Sequence, residues 1–372
     1  MASRRRLVTR ALDGGAVRKV VVDWIGCANG SVRHEEACSL RMPTITVSPL
    51  ERYLHAHRHA DWLVALADLR AVMHEVDQRA TRIWCHQWPV DIARALAAAP
   101  DRDAAVRAMW LQGRFDLAEQ VDTSHAFLYG HRFWSLVKQT VTEVAVSGDA
   151  VPATGLHELV RRMADNAAAR ARMDVSLLVG ITAVALMTLQ QVGLDAFRRT
   201  RGETTAPRGL LASAPDQIVE ARERDDSQGL FGFLRGIKTR FTVRFDERRE
   251  DACFPIFNGQ HITTAALADR RDYTASDARC HEGPIPVQCR AASCGTCWVG
   301  VLGGNGKVSP ASAAELSRLR EFGYIDTSDE RPVIRLACQV QAYGNVTLVI
   351  PPWNGIVGQH LSRGPASPQA PR

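Results

Sequence analysis

Cys289-Arg290-Ala291-Ala292-Ser293-Cys294-Gly295-Thr296-Cys297 is the stretch on which the reading of this chain turns. Three of the nine cysteines fall within these nine residues at C-x4-C-x2-C spacing, and Cys338 follows after 40 intervening residues. Two irons bridged by two sulfides need four terminal thiolates. One tight loop can supply three of them, and the fourth has to arrive from a separate element packed against that loop. Cys338 suits this, since it closes the strand-like run Val333-Ile334-Arg335-Leu336-Ala337-Cys338. Structural zinc is the alternative, but it usually takes two C-x2-C knuckles, and this chain has one. The spacing therefore points to a [2Fe-2S] centre on Cys289, Cys294, Cys297 and Cys338.

The neighbours of the cysteines fit that chemistry. Gly295 lets backbone come close to the metal, and the amides around it and Thr296 can donate to sulfur. Four thiolates and two sulfides against two ferric ions leave a charge of about −2, falling to about −3 on reduction. Arg290 and Arg335 are then the nearby cations expected to set the potential.

Around this core, Phe241–Phe245 alternates as a half-buried strand does, and the segment Ile262–Leu267, the run Trp298-Val299-Gly300-Val301 and Arg335–Gln339 follow in order. Residues from about 239 to 352 resemble the plant-type ferredoxin family, over roughly a third of the chain. The resemblance implies a β-grasp fold, a mixed sheet crossed by a helix with the cluster near one edge, and one-electron transfer with a redox protein partner. Three features depart from the family. Ala292 stands where a glycine is usual, so a Cβ must fit beside the cluster. The long gap before Cys338 carries Ser312-Ala-Ala-Glu315, a capping box, then Leu316, Leu319 and Phe322 before Gly323, which reads as an added helix. Residues 240–361 hold 13 Lys+Arg and 13 Asp+Glu, so no acidic docking surface is expected there.

The rest of the 372 residues reads differently. Ser48-Pro49-Leu50-Glu51 is a helix start, and Leu63, Leu66, Leu69, Met73 and Val76 continue a single apolar stripe behind it. Helical patterns recur to about Arg199, whereas Thr200 to about Gly236 has no sustained period. The expectation is an α+β chain: an all-α N-terminal domain over 1–199 serving docking, a linker over 200–238, a β-grasp ferredoxin-like domain over 239–361 and a disordered tail over 362–372. Val17–Val22 and Thr44–Val47 are weaker strand candidates. Val175–Leu189 is uncharged, but fifteen residues of helix span only about 22 Å against a hydrocarbon core of ~30 Å. A buried core helix is the expectation, and a membrane contact the alternative.

A composition of 46% hydrophobic and 23% charged residues is that of a globular chain, and it excludes collagenous, coiled-coil and mostly disordered classes. A net charge of +6 with no dense Lys/Arg stripe argues against a nucleic-acid partner. The odd number and clustering of the cysteines do not suit a secreted disulfide framework, so the expected location is cytoplasmic, with a peripheral membrane position as the variant. Ser3-Arg4-Arg5-Arg6 looks like a twin-arginine start, but Asp13, Arg18, Lys19 and Asp23 interrupt the stretch behind it, leaving a basic arm.

Other signals are weaker. His55 and His59 would share a helix face, and Cys27, His34, Cys38, Cys85 and His86 form a second metal site only if the fold gathers them. Arg271-Asp272-Tyr273-Thr274 matches a short flavin-binding pattern, here without the barrel or nucleotide domain that accompanies it. No dinucleotide, phosphate-loop, nucleophile-elbow or zinc-protease motif is present. The expected function is one-electron transfer between redox partners, with a dehydrogenase or hydrogenase complex as one setting, rather than self-contained catalysis. The rivals are a multidomain oxidoreductase whose N-terminal domain binds an unrecognised cofactor or substrate, and a redox-sensing interaction protein.

Overall fold

The computed structural model describes residues 47–149, 155–224, 240–324 and 331–362. The expected N-terminal arm, the strands before Val47 and the tail beyond Ser362 lie outside the described residues.

Helix α1 (Pro49–His55) begins as its sequence dictates: Glu51 N–H donates to Ser48 Oγ at 3.2 Å, and the Glu51 carboxylate accepts the Ser48 N–H at 3.0 Å. The stripe behind it is not one helix, as expected, but α2 (His59–Asp68), a 3-10 turn over Leu69–Val72, and α3 (Glu75–Gln87). Each break carries its own cap. Arg58 N–H donates to Asp61 at 2.7 Å, and His74 Nδ1 accepts the Val76 N–H at 3.2 Å. The apolar residues stay inward while the axis changes, and His55 and His59 end up on different helices. There follow α4 (Val90–Ala98), α5 (Arg102–Ala108), the short strand β1 (Gln112–Gly113), α6 (Trp134–Ser147), α7 (Leu156–Ala171) and α8 (Ser176–Arg199).

Helix α8 is the hub on which α1, α3, α4, α6 and α7 pack. Every residue from Leu177 to Gln190 is buried. The helix is long and apolar enough to cross a membrane, and 78% of its most apolar window is covered by protein. Three polar residues of this helix are bonded internally: Trp62 Nε1 donates to Gln190 Oε1 at 2.6 Å, Gln191 Nε2 to Trp88 O at 2.9 Å, and Thr188 Oγ1 to Val184 O at 2.7 Å. At Gly193 (φ 76°) the helix breaks, and the freed Leu194 N–H donates to Glu51 Oε1 at 2.8 Å.

The stretch expected to be a linker is partly built into the core. It contains α9 (Pro215–Glu223), whose Ile218 is fully buried against α3 and the sheet. Arg222 makes two bonds of 2.9 and 2.7 Å to Glu247, with both side chains almost fully buried, and a third of 2.6 Å to Val76 O. One charge of this polar stretch, that of Arg222, is used inward and paired, which its composition does not reveal.

The C-terminal part supplies β2 (Arg240–Arg244), β3 (Cys253–Phe257), β4 (Gln260–His261), α10 (Ile262–Ala266), β5 (Trp298–Gly303), α11 (Ala313–Phe322), β6 (Ile334–Leu336), β7 (Gln341–Ala342), β8 (Val346–Val349), β9 (Trp353–Asn354) and α12 (Gly358–Ser362). A mixed five-stranded sheet runs β3-β2-β8-β5-β6, with only β2 and β8 parallel. The expected alternation in β2 is observed, with Phe241 and Val243 buried opposite Ile256 and Phe254. The α+β class holds: a helical N-terminal region and a C-terminal mixed sheet.

The two regions share one core, and the chain from Val47 onward forms one compact unit. All six residues of β5 are buried, because α3 lies on this strand. Gly300 and Gly303 permit that approach: a Cβ on Gly300 would stand 2.5 Å from Ile83 Cγ2, and one on Gly303 2.8 Å from Arg222 Cβ. Trp353 Nε1 donates to Gln87 O at 2.7 Å, and β9 pairs with β1 from the helical region. Two domains joined by a linker over 200–238 were expected, and the described residues of the two regions share a continuous interior.

Candidate metal centre

The loop before β5 presents the first three thiols, and the turn after β6 presents the fourth. Pairing of β5 with β6 sets Trp298 opposite Leu336, and Ala337 N–H donates to Cys297 O at 2.9 Å, which locks the two cysteine-bearing segments side by side. The four sulfurs form two pairs. Cys294 Sγ lies 3.0 Å from Cys289 Sγ, and the Cys297 thiol hydrogen-bonds Cys338. Among the described residues no three His, Cys, Asp or Glu groups converge on one point, as a single ion would require. Two pairs flanking one stretch of backbone suit a centre of two metals with two thiolates each.

That stretch is shaped to hold anionic sulfur. Arg290 (φ 54°), Ala292 (φ 55°) and Gly295 (φ 70°) are left-handed, and such alternation turns successive N–H groups to one side. The amides of Ala291 and Ser293 and the Ser293 hydroxyl bond Cys289, the Ala292 amide reaches Cys338, and Thr296 lends its amide to Cys294 while its hydroxyl donates to Gln288 Oε1 at 3.2 Å. Gln339 Nε2 adds a 3.4 Å contact to Cys338 Sγ, and the Cys338 amide donates to Cys297. Gly295 is required twice over, since besides its φ a Cβ would stand 3.1 Å from Phe322 Cδ2 and 3.2 Å from the Tyr324 hydroxyl.

Within each pair the protons divide unequally. Burial raises the Cys289 thiol, but the Ser293, Cys294 and backbone hydrogen bonds outweigh it and bring it down to about 7, while burial pushes Cys294 up. The hydrogen bond from Cys297 brings Cys338 down to about 6, and the same bond, with burial, holds Cys297 well above the usual thiol range. Each pair thus has one thiol ready to give up its proton at neutral pH. The loop presents preformed, partly anionic donor pairs, and the residues present fit a two-iron cluster.

The two cations expected beside the cluster are both paired. Arg335 is fully buried, but the Glu315 carboxylate takes its Nε and Nη2, both at 2.9 Å, and Ser309 O takes Nη1 at 2.8 Å. Glu315 Oε1 also accepts the Leu336 N–H at 2.9 Å. Arg290, on the exposed face of the loop, is paired with Glu282. Both charges are matched locally, so these arginines brace the loop and β6 rather than offering the cluster a free positive charge. Helix α11 is the added helix the sequence suggested, with Ser312 Oγ accepting the Glu315 N–H at 3.1 Å and Gly323 (φ 85°) ending it. The Glu315 side chain serves Arg335 instead of closing the box. Sequence reading also missed the donors Ala291, Ser293 and Gln339, whose positions beside the cysteines were the only signal.

Behind the loop, Trp298 stacks on Tyr324 with ring centres 4.4 Å apart and meets Trp353 at 5.1 Å. Gly295, Thr296, Cys297 and Trp298 are buried against this wall, whereas Arg290, Ala291 and Ser293 face solvent. The centre therefore has a dry inner side and a thin outer rim.

Other candidates resolve into structural roles. Arg271 grips Asp269 at 2.6 and 2.9 Å and donates to Asp251 O and Cys253 O at 2.6 and 2.9 Å, and the Tyr273 hydroxyl donates to Asp269 at 2.6 Å, so the flavin-like pattern ties its loop to the start of β3. His59 and His86 approach with ring centres 6.1 Å apart, and Cys85 Sγ is 4.0 Å from His59 Nδ1. Cys27, His34 and Cys38 lie outside the described residues.

Paired cysteines held side by side by the β5/β6 pairing are what a two-iron centre requires. Residues 258–343, which include all four cysteines, match the 2Fe-2S iron-sulfur cluster binding domain family, so the C-terminal region carries a domain that binds a [2Fe-2S] cluster. The helical N-terminal region has no family match, and comparisons with curated proteins and with solved structures find none for the chain.

Proposed function

We propose that the chain relays single electrons between redox protein partners through a [2Fe-2S] cluster held by Cys289 and Cys294 on one iron and Cys297 and Cys338 on the other. The observation that carries this is the two-plus-two arrangement of thiols beside a rim that meets solvent. Such a cluster supplies one-electron chemistry when bound. Around it, the Ala291, Ala292, Ser293 and Thr296 amides steady the negative sulfurs, and the Trp298, Tyr324 and Trp353 wall keeps water from the inner side. The parallel β2/β8 pair at the sheet centre supports a β-grasp reading of this region. Free thiols at Cys85, Cys253 and Cys280 support a reducing, cytoplasmic location. The helical region, packed on the back of the sheet, is the docking platform of this reading, with a dehydrogenase or hydrogenase complex as its setting.

Purified protein should show charge-transfer bands in the region of about 400–550 nm that bleach on one-electron reduction. Cys338→Ser should weaken or shift those bands while far-ultraviolet dichroism keeps its helical signal. Protein that carries zinc and no visible bands would overturn the proposal.

A further inference from the structure

Away from the cysteines, a cavity of about 520 Å³ lies at the seam between the helical region and the sheet, a volume within the usual range for small-molecule sites. Its lining has an apolar share, from Leu63, Leu66, Val219, Leu302 and Val333, and a cationic one. Of its arginines, Arg222 is neutralised by Glu247. Arg70, Arg79, Arg82 and Arg331 form no ion pair with another described residue, and only Glu75 and Glu223, both exposed, stand against them on the lining. Arg79 is the most constrained: Nη1 is sealed from solvent without a hydrogen-bond partner. Burial, then Arg82, Arg222 and Arg70, depress its proton affinity against the opposing pull of Glu223.

Holding a guanidinium partly out of water beside others of its sign is costly without a counter-charge. Among the described residues only the exposed Glu223 pulls against this charge, and the apolar residues of the lining give the space a non-polar share. We propose that the seam cavity binds an amphiphilic organic oxyanion, its phosphate or carboxylate head on Arg79 and Arg82 and its apolar body against Leu66, Val219 and Leu302. The arginine fork suits either head. The site draws on elements of both regions and on none of the four cysteines, so it stands independently of the electron-transfer reading.

Calorimetric titration of the full-length protein tests this with hexyl phosphate, hexanoate, inorganic phosphate and hexanol. At least one of the two amphiphiles should bind saturably at one site, and the comparison between them identifies the head group. Inorganic phosphate should bind at least about tenfold more weakly, and hexanol should not bind. The double variant Arg79→Gln/Arg82→Gln should lose at least about tenfold in affinity. Glu223→Gln, which removes the opposing carboxylate, should tighten binding several-fold with the visible spectrum unchanged. The proposal is overturned if neither amphiphile saturates, if hexanol binds as well as they do, if the double variant binds like the parent, or if Glu223→Gln weakens binding.

Discussion

Ala292 holds a left-handed conformation (φ 55°) while its amide donates to the Cys338 thiol. A Cβ in that region costs about 1–2 kcal/mol, and glycine would return part of this through its freer unfolded state. Ala292→Gly is therefore expected to raise the stability of the cluster-loaded protein by about 0.5–1 kcal/mol, read from thermal unfolding, with the visible spectrum unchanged. Gly295→Ala goes the other way, because φ of 70° strains a side chain and a methyl would press on Phe322 at 3.1 Å; cluster occupancy on purification should fall. The ligand set was legible because thiol spacing follows directly from the chemistry of two metals. The handedness of Arg290 and Ala292 was not, since neither residue type announces a positive φ.

Helix α11 illustrates what a local pattern can and cannot tell. Ser312 and Gly323 mark its ends as the sequence suggests, yet Glu315 leaves the capping role to meet Arg335, which is distant in sequence and fully buried. A pattern reads neighbours along the chain, and this ion pair is a tertiary fact. Removing one partner strands a buried charge: Arg335→Met should destabilise by about 3–5 kcal/mol in urea unfolding. Combining it with Glu315→Gln should recover a large part of that loss; a double variant as unstable as the single one would mean that the arginine acts through packing alone. The same limit explains the helical region. Its stripe was visible, but the breaks at Arg58 and His74 depend on single side-chain caps, and α9 looked like linker because Arg222 finds Glu247 only in the folded chain.

For the molecule as a whole, the shared interior decides stability. Residues 240–362 alone would expose the Gly300/Gly303 face of β5, so this segment made separately is expected to be aggregated or molten, judged by near-ultraviolet dichroism. Acid should act mainly on the helical region. Burial brings His59 and His131 down to about 4 and His86 to about 3, and holds His125 well below its usual value, with His125 and His131 joined Nδ1 to Nδ1 at 2.9 Å. A histidine depressed in the folded state contributes stability that is complete above its unfolded value near 6.5 and is lost as pH falls toward the folded one. For His59 or His131 the loss between those limits is on the order of 3 kcal/mol. Stability measured by urea titration should therefore drop steeply from about pH 6.5 to about pH 4, and a flat profile would contradict the buried neutral rings.

The two glycines of β5 also bear on how charge would travel in the proposed relay. With Ile83 and Arg222 seated in the notches they leave, the iron-bearing half is clamped to its helical back and cannot swing like a tethered arm between stations. On the relay proposed above, traffic would come to a stationary port: a donor and an acceptor would visit the Arg290–Ser293 rim in turn, each docking to a face whose position the rest of the body has already fixed.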